Sequence, residues 1–197
     1  MKTILKPGCE KIMHLFYNNK NIRIHLREIA RKTKLNENSA TRFLLDIEKG
    51  NLLGSEMDGN MKKYSINKND VTFALFALFD AEKFSRLPGI RKNAISHFLN
   101  ELVEKPVIVV LFGSTAKETY RNESDIDLLL VANKKTATEN AENYAESQTG
   151  IRINPVQIVF PAFLNELKTG NDPVIKSALS TGYPLTNHIL YYREVLR

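Results

Sequence analysis

Apolar positions recur at helical spacing three times in the first fifty residues and then switch to alternation. Ile12, Leu15 and Phe16 predict a helix over residues 8–17, stopped by the polar run Asn18 to Asn21. A second helix is predicted over residues 25–32. Beyond Lys34-Leu35, Asn36 reads as the N-cap of a third, in which Ala40, Leu44 and Ile47 form one buried stripe that ends at Gly50. Residues 52–57 and 61–66 are short alternating runs around Asp58-Gly59-Asn60, and Asp-Gly between such runs signals a hairpin.

Residues 71–81, VTFALFALFDA, hold nine apolar positions in eleven, so this helix is apolar around most of its circumference. It is predicted to connect two domains or to pair across a homodimer, being too short to span a bilayer. Leu87-Pro88-Gly89 breaks the chain, and residues 90–103 form another helix with Ile95, Phe98, Leu99 and Leu102 inward. Residues 107–112 are a continuous apolar run suited to a central strand, Gly113-Ser114 ends it, and residues 115–120 are predicted as one or two helical turns. Residues 126–131 and 152–160 read as further strands. Residues 171–197 read as helices broken by Gly182 and Pro184, with Tyr183, Tyr191 and Tyr192 as packing residues.

The chain has 197 residues, 43% of them hydrophobic and 25% charged, which is globular rather than disordered or fibrous composition. Its single cysteine, Cys9, excludes an internal disulfide and a thiolate zinc site. The opening MKTILKPGCEKIMHLF lacks the continuous apolar run of a secretory leader, so a cytoplasmic location without membrane association is expected. His14, His25, His97 and His188 are isolated and read as structural or solvated. The net charge of +6 is uneven, with 13 Lys plus Arg against 7 Asp plus Glu in residues 1–66 and 9 against 10 in residues 106–197. A basic first third joined to a neutral remainder suits a nucleic-acid-binding module coupled to a domain with other work.

The segment IHLREIARKTKLNENSATRFLLDIEKGNLLGSEMDGNMKKYSIN resembles the winged helix-turn-helix domains of prokaryotic transcription regulators. The resemblance implies binding to double-stranded DNA, with Asn38, Ser39, Thr41 and Arg42 at the outward N-terminal end of the recognition helix. It places Lys62 and Lys63 on the wing near phosphates. Glu37 brings negative charge toward such a duplex, and Phe43 and Leu45, expected to be exposed, suit a protein surface as well as a base edge. Packing or dimerisation is the alternative use of this domain.

PVIVVLFGSTAKETYRNESDIDLLLVAN, residues 106–133, carries the chemistry. Asp125 and Asp127 are two apart at the start of a strand, which directs both carboxylates to one face about 6 to 7 Å apart at Cα. Like charges so placed call for a cation between them, and hard oxygen ligands suit Mg²⁺ or Mn²⁺. Gly113 lets backbone approach a ligand closely, while the Ser114 hydroxyl and the amides that follow can donate to phosphate oxygens. The spacing of Gly-Ser, ten residues and Asp-x-Asp looks like the signature of polymerase β-type nucleotidyltransferases, especially the minimal prokaryotic members.

That resemblance implies an α+β chain whose C-terminal domain is a mixed sheet with helices, bounded as residues 1–68, a connecting 69–104, and 105–197. It implies an NTP substrate cradled by Gly113 and Ser114, with Lys117 near the phosphates, and metal held by the catalytic Asp125 and Asp127. Family members that act as antitoxins make a protein hydroxyl a plausible acceptor. They also present a third carboxylate from a neighbouring strand, and here that position is assigned to Gln157, between Val156 and Ile158, with Asn154 on the same strand uncharged too. Glu166 lies beyond Pro161 on the next helix. Two functions are therefore expected to compete: NMP transfer to an acceptor, or DNA-binding regulation with a degenerate transferase domain acting as nucleotide sensor or dimerisation module.

Overall fold

The computed structural model describes residues 5–197, so the first four residues of the opening stretch weighed as a leader lie outside the described residues. The chain divides into two compact units, Met1–Phe79 with Leu196–Arg197, and Asp80–Val195.

The first unit contains α1 (Pro7–Asn18), β1 (Ile24–His25), α2 (Leu26–Thr33), α3 (Glu37–Lys49), β2 (Leu53–Asp58) and β3 (Met61–Ile66), and the division falls within α4 (Asp70–Arg86). Lys34 at φ 56 turns the chain out of α2, and the Asn36 side chain accepts from the Ser39 amide at 2.8 Å to start α3. Ile12, Met13, Phe16, Ile29, Leu44 and Ile47 are fully buried, so the helical stripes form one core. The strands lie in the order β1-β3-β2, all antiparallel, and Asp58 opposite Met61 leaves Gly59, at φ 59, and Asn60 as the hairpin turn. His25 sits in β1 rather than in the helix predicted from it, because Ile24 and His25 pair with Tyr64 and Lys63. Phe43 is half-buried instead of exposed. Its ring fills the space beside Gly8, where a Cβ would come within 2.1 Å of it.

The second unit continues through α5 (Gly89–Glu101), β4 (Ile108–Phe112), α6 (Gly113–Ala116), β5 (Ile126–Ala132), α7 (Glu139–Thr149), β6 (Ile153–Val159), α8 (Phe160–Thr169), α9 (Pro173–Thr181), β7 (Tyr183–Pro184) and α10 (His188–Val195). Its sheet has the order β6-β5-β4-β7 and is mixed, with β4 antiparallel to β5 and β7 and β5 parallel to β6. One face, carrying Val109, Leu111, Leu128, Leu130 and Ile153, is covered by Ala94, Ile95 and Phe98 of α5 and Ala141 and Ala145 of α7. Helices α8 and α9 pack against β6 and β4. Gly182 permits the return to the sheet, since a Cβ there would lie 2.7 Å from the Leu111 carbonyl oxygen. Tyr183, Tyr191 and Tyr192 are buried, and the Tyr192 hydroxyl donates to the Asp80 carboxylate at 2.9 Å.

The turns predicted over residues 115–120 form earlier and are shorter, as α6. The Lys117 amide closes the helix on the Gly113 carbonyl, and Glu118, at φ 58, turns the chain away. Among the described residues, no helix is long and apolar enough to cross a membrane.

Candidate functional site

The end of β4 meets the start of β5, where Phe112 pairs with Asp127. That register drives the residue after Phe112 against the Asp127 side chain. Gly113 occupies it at φ 69, and a Cβ there would lie 2.1 Å from Asp127 Oδ2, a distance no side chain tolerates. Glycine is thus required twice over, by dihedral and by contact. Ser114 follows, half-buried in the four-residue α6.

Asp127 is half-buried in β5, and its Oδ1 accepts from Asn154 Nδ2 at 2.9 Å. Asp125 lies exposed in the residue pair leading into the strand. The structure therefore brings Gly113 and Asp127 into contact with Asp125 two residues away, while Lys117 is exposed beyond the end of α6. Two carboxylates two residues apart, one of them held by the Asn154 amide, offer hard oxygen donors that suit Mg²⁺ or Mn²⁺, and the missing side chain at Gly113 lets the Asp127 carboxylate close against the backbone there.

Gln157 is not the residue beside the aspartates. In the parallel pairing of β5 and β6, Asp127 is opposite Asn154 and Gln157 is opposite Leu130. Residues three apart in a strand point to opposite faces, so Gln157 faces away from Asp127. Its amide instead pins the approach to α7, accepting from the Thr136 amide at 3.0 Å and donating to the Thr136 carbonyl at 2.8 Å. The neutral group next to Asp127 is Asn154. Glu166 is engaged elsewhere, accepting from the Asp172 amide at 2.6 Å and the Thr169 hydroxyl at 3.3 Å.

Arg91 is the residue that sequence reasoning missed. It is 2% exposed, with one guanidinium nitrogen donating to Thr115 Oγ1 at 3.0 Å and another to the carbonyls of Arg121 and Ser124, each at 2.9 Å. The guanidinium also lies 4.0 Å from the Tyr120 ring centroid. Burial pushes its pKa below the usual arginine value, and the nearby Tyr120 opposes that shift. The available signal was position: Arg91 shares the α5 stripe with Ala94, Ile95 and Phe98, where a charge needs built-in partners.

In the first unit, Asn38, Thr41 and Arg42 are exposed on α3 and Ser39 is half-buried. The Thr41 hydroxyl is turned back to the Glu37 carbonyl at 2.8 Å, and Glu37 pairs with Arg27 at 3.8 Å. Lys62 and Lys63 are neighbours in β3 and so point to opposite faces. Lys62 reaches Glu48 of α3 at 3.1 Å, whereas Lys63 pairs with Asp58. Only Lys62 shares the face of α3. The Cys9 thiol is buried, and that burial raises its pKa above the usual thiol value.

Residues 93–187 match the model of the family described as polymerase beta, nucleotidyltransferase, which supports a nucleotidyltransferase domain over that span. No curated protein and no solved structure matches the chain.

Proposed function

We propose that the nucleotidyltransferase domain binds an NTP with a divalent cation and transfers NMP to an acceptor. The observation that carries this reading is the fit of Gly113 against Asp127, where a Cβ would lie 2.1 Å from the carboxylate oxygen. The glycine lets the Asp127 carboxylate close against the turn that leads into Ser114, which sets a metal ligand beside the backbone proposed to meet the phosphates. Gly113 and Ser114 orient the triphosphate, with Lys117 one turn on as a further cation for it. Asp125 and Asp127 are the metal ligands. The family usually uses divalent metals, and Mg²⁺ or Mn²⁺ would neutralise the charge that develops on the phosphate oxygens. The acceptor class drawn from the resemblance is a hydroxyl on a partner protein. Metal-dependent pyrophosphate release that is lost in Asp125→Asn is the expected result; release that persists in this variant contradicts the assignment.

The second reading is a regulator whose transferase domain senses nucleotide or supports a homodimer. The amide of Asn154 beside Asp127 favours it, because an amide adds neither charge for a metal nor a base for the acceptor hydroxyl. In both readings residues 1–68 act as a winged helix-turn-helix on duplex DNA, residues 69–104 connect, and residues 105–197 form the transferase. The three helices and the β2–β3 hairpin support this, with Asn38, Ser39, Thr41 and Arg42 on the groove side and Lys62 toward the backbone. Lys63, on the opposite face of the hairpin, would contribute less. Arg42→Ala and Lys62→Ala should each weaken duplex binding and flatten its salt dependence by about one phosphate contact. Weak binding that is unchanged in both variants would remove DNA from the account.

A further inference from the structure

Arg91 joins the two segments between which the proposed site lies. Its Thr115 bond fixes α6, the helix that contains Gly113 and Ser114, and its bonds to Arg121 and Ser124 fix the loop that ends at Asp125. The Ser124 hydroxyl accepts from the Arg121 amide at 2.9 Å, so the loop is closed on itself before it is tied to the helix. Tyr120, on the chain between the two attachment points, covers the guanidinium at 4.0 Å. A planar fork buried at this junction has one geometry that satisfies every acceptor.

We infer that Arg91 is a positioning residue that sets the spacing between the phosphate cradle at Gly113-Ser114 and the aspartates at Asp125 and Asp127, and thereby the affinity for metal-bound nucleotide. This rests on the proposed nucleotide site, which Arg91 serves without touching the ligand. A guanidinium can hold Thr115 and both carbonyls together. An ammonium at the same place reaches fewer of them, and a neutral amide leaves the span short of a donor. Small displacements of a positioning frame carry large penalties in binding and turnover.

The test uses the full chain with Arg91→Lys and Arg91→Gln, and Phe98→Leu as a control that loosens the core under α5 at a distance from these bonds. Titration with Mg²⁺ and whichever of ATP, GTP, CTP and UTP the wild-type chain binds is read beside amide hydrogen exchange at residues 113–116 and 121–125. The expected result is a Kd raised about tenfold or more in Arg91→Gln, a smaller rise in Arg91→Lys, and faster exchange in both segments together. Phe98→Leu, at a comparable loss of melting temperature, should keep its affinity. Unchanged affinity in the Arg91 variants, an equal loss in Phe98→Leu, or faster exchange in only one segment overturns the inference. If the wild-type chain binds none of ATP, GTP, CTP and UTP with Mg²⁺, the site reading falls and the role of Arg91 falls with it. Binding by wild type with unaffected Arg91 variants overturns the role of Arg91 alone.

Discussion

Gly113→Ala should weaken metal-dependent nucleotide binding about a hundredfold while leaving a folded, less stable protein. The new Cβ would stand 2.1 Å from Asp127 Oδ2, so either the carboxylate or the end of β4 must move. Backbone at φ 69 adds about 1 kcal/mol of strain for a residue with a side chain. A displaced Asp127 also loses the geometry of its Asn154 bond, and the combined destabilisation should reach about 2 to 4 kcal/mol. That loss of affinity follows because the same substitution displaces Asp127, the proposed metal ligand, and the turn proposed to cradle the phosphates. Gly150→Ala supplies the control: Gly150 has the same φ of 69 with nothing within 4 Å of its Cβ position. It should show the strain alone and keep full affinity. Melting curves and Mg²⁺-ATP titrations of the two variants separate the contact with Asp127 from the backbone effect. Equal affinities in both would remove Gly113 from the site.

Asn154→Asp should convert a stabilising contact into a metal-dependent one. In wild type the Asn154 amide donates to Asp127 at 2.9 Å. A carboxylate there has no proton to give and adds a like charge, which raises the pKa of the new pair above the ordinary carboxylate range. A raised folded-state pKa contributes stability that is present at low pH and lost as pH rises. In EDTA the variant should therefore match wild type near pH 4 and fall behind it by about 1 to 3 kcal/mol toward pH 7. Millimolar Mg²⁺ should restore the melting temperature, since a cation between the carboxylates reverses the sign of their interaction. Metal affinity should rise about tenfold, and pyrophosphate release with it if loss of a third carboxylate is what limits turnover. A variant that is insensitive to both pH and Mg²⁺ would place Asn154 outside the proposed metal site.

The periodic parts of the fold were legible in the sequence, and the register-dependent parts were not. Ala40, Leu44 and Ile47 gave α3 its buried stripe and Asn36 its cap, as found. The hairpin followed from Asp58-Gly59, and β4 and β5 from their apolar runs. By contrast, β1 and β7 are two-residue strands defined by their partners, Tyr64 and Lys63 in one case and Val110 and Leu111 in the other. No local pattern announces such pairing. Helix α7 was also missed, for its apolar positions are small: Ala141 and Ala145 are buried while most of its remaining surface is polar.

The candidate site divides in the same way. Gly113, Asp125 and Asp127 could be read from spacing, but the reason that Gly113 must be glycine lies in the pairing of Phe112 with Asp127. The assignment of Gln157 failed on register, because flanking apolar residues identify a strand without identifying which of its faces meets Asp127. Arg91 was hidden by distance in sequence, being tied to residues 24 to 33 positions away. Lys62 and Lys63 were read as a pair, although adjacent residues of a strand cannot share a face.

Binding of nucleotide at Gly113, Ser114, Asp125 and Asp127 is the claim on which the rest depends, and calorimetric titration tests it most directly. ATP, GTP, CTP and UTP are each titrated with and without Mg²⁺ into the wild-type chain and into the Asp125→Asn/Asp127→Asn double variant. The account predicts binding of at least one NTP that requires Mg²⁺ and disappears in the double variant. Absence of binding by every NTP, or binding that is the same without Mg²⁺ and in the double variant, would contradict it.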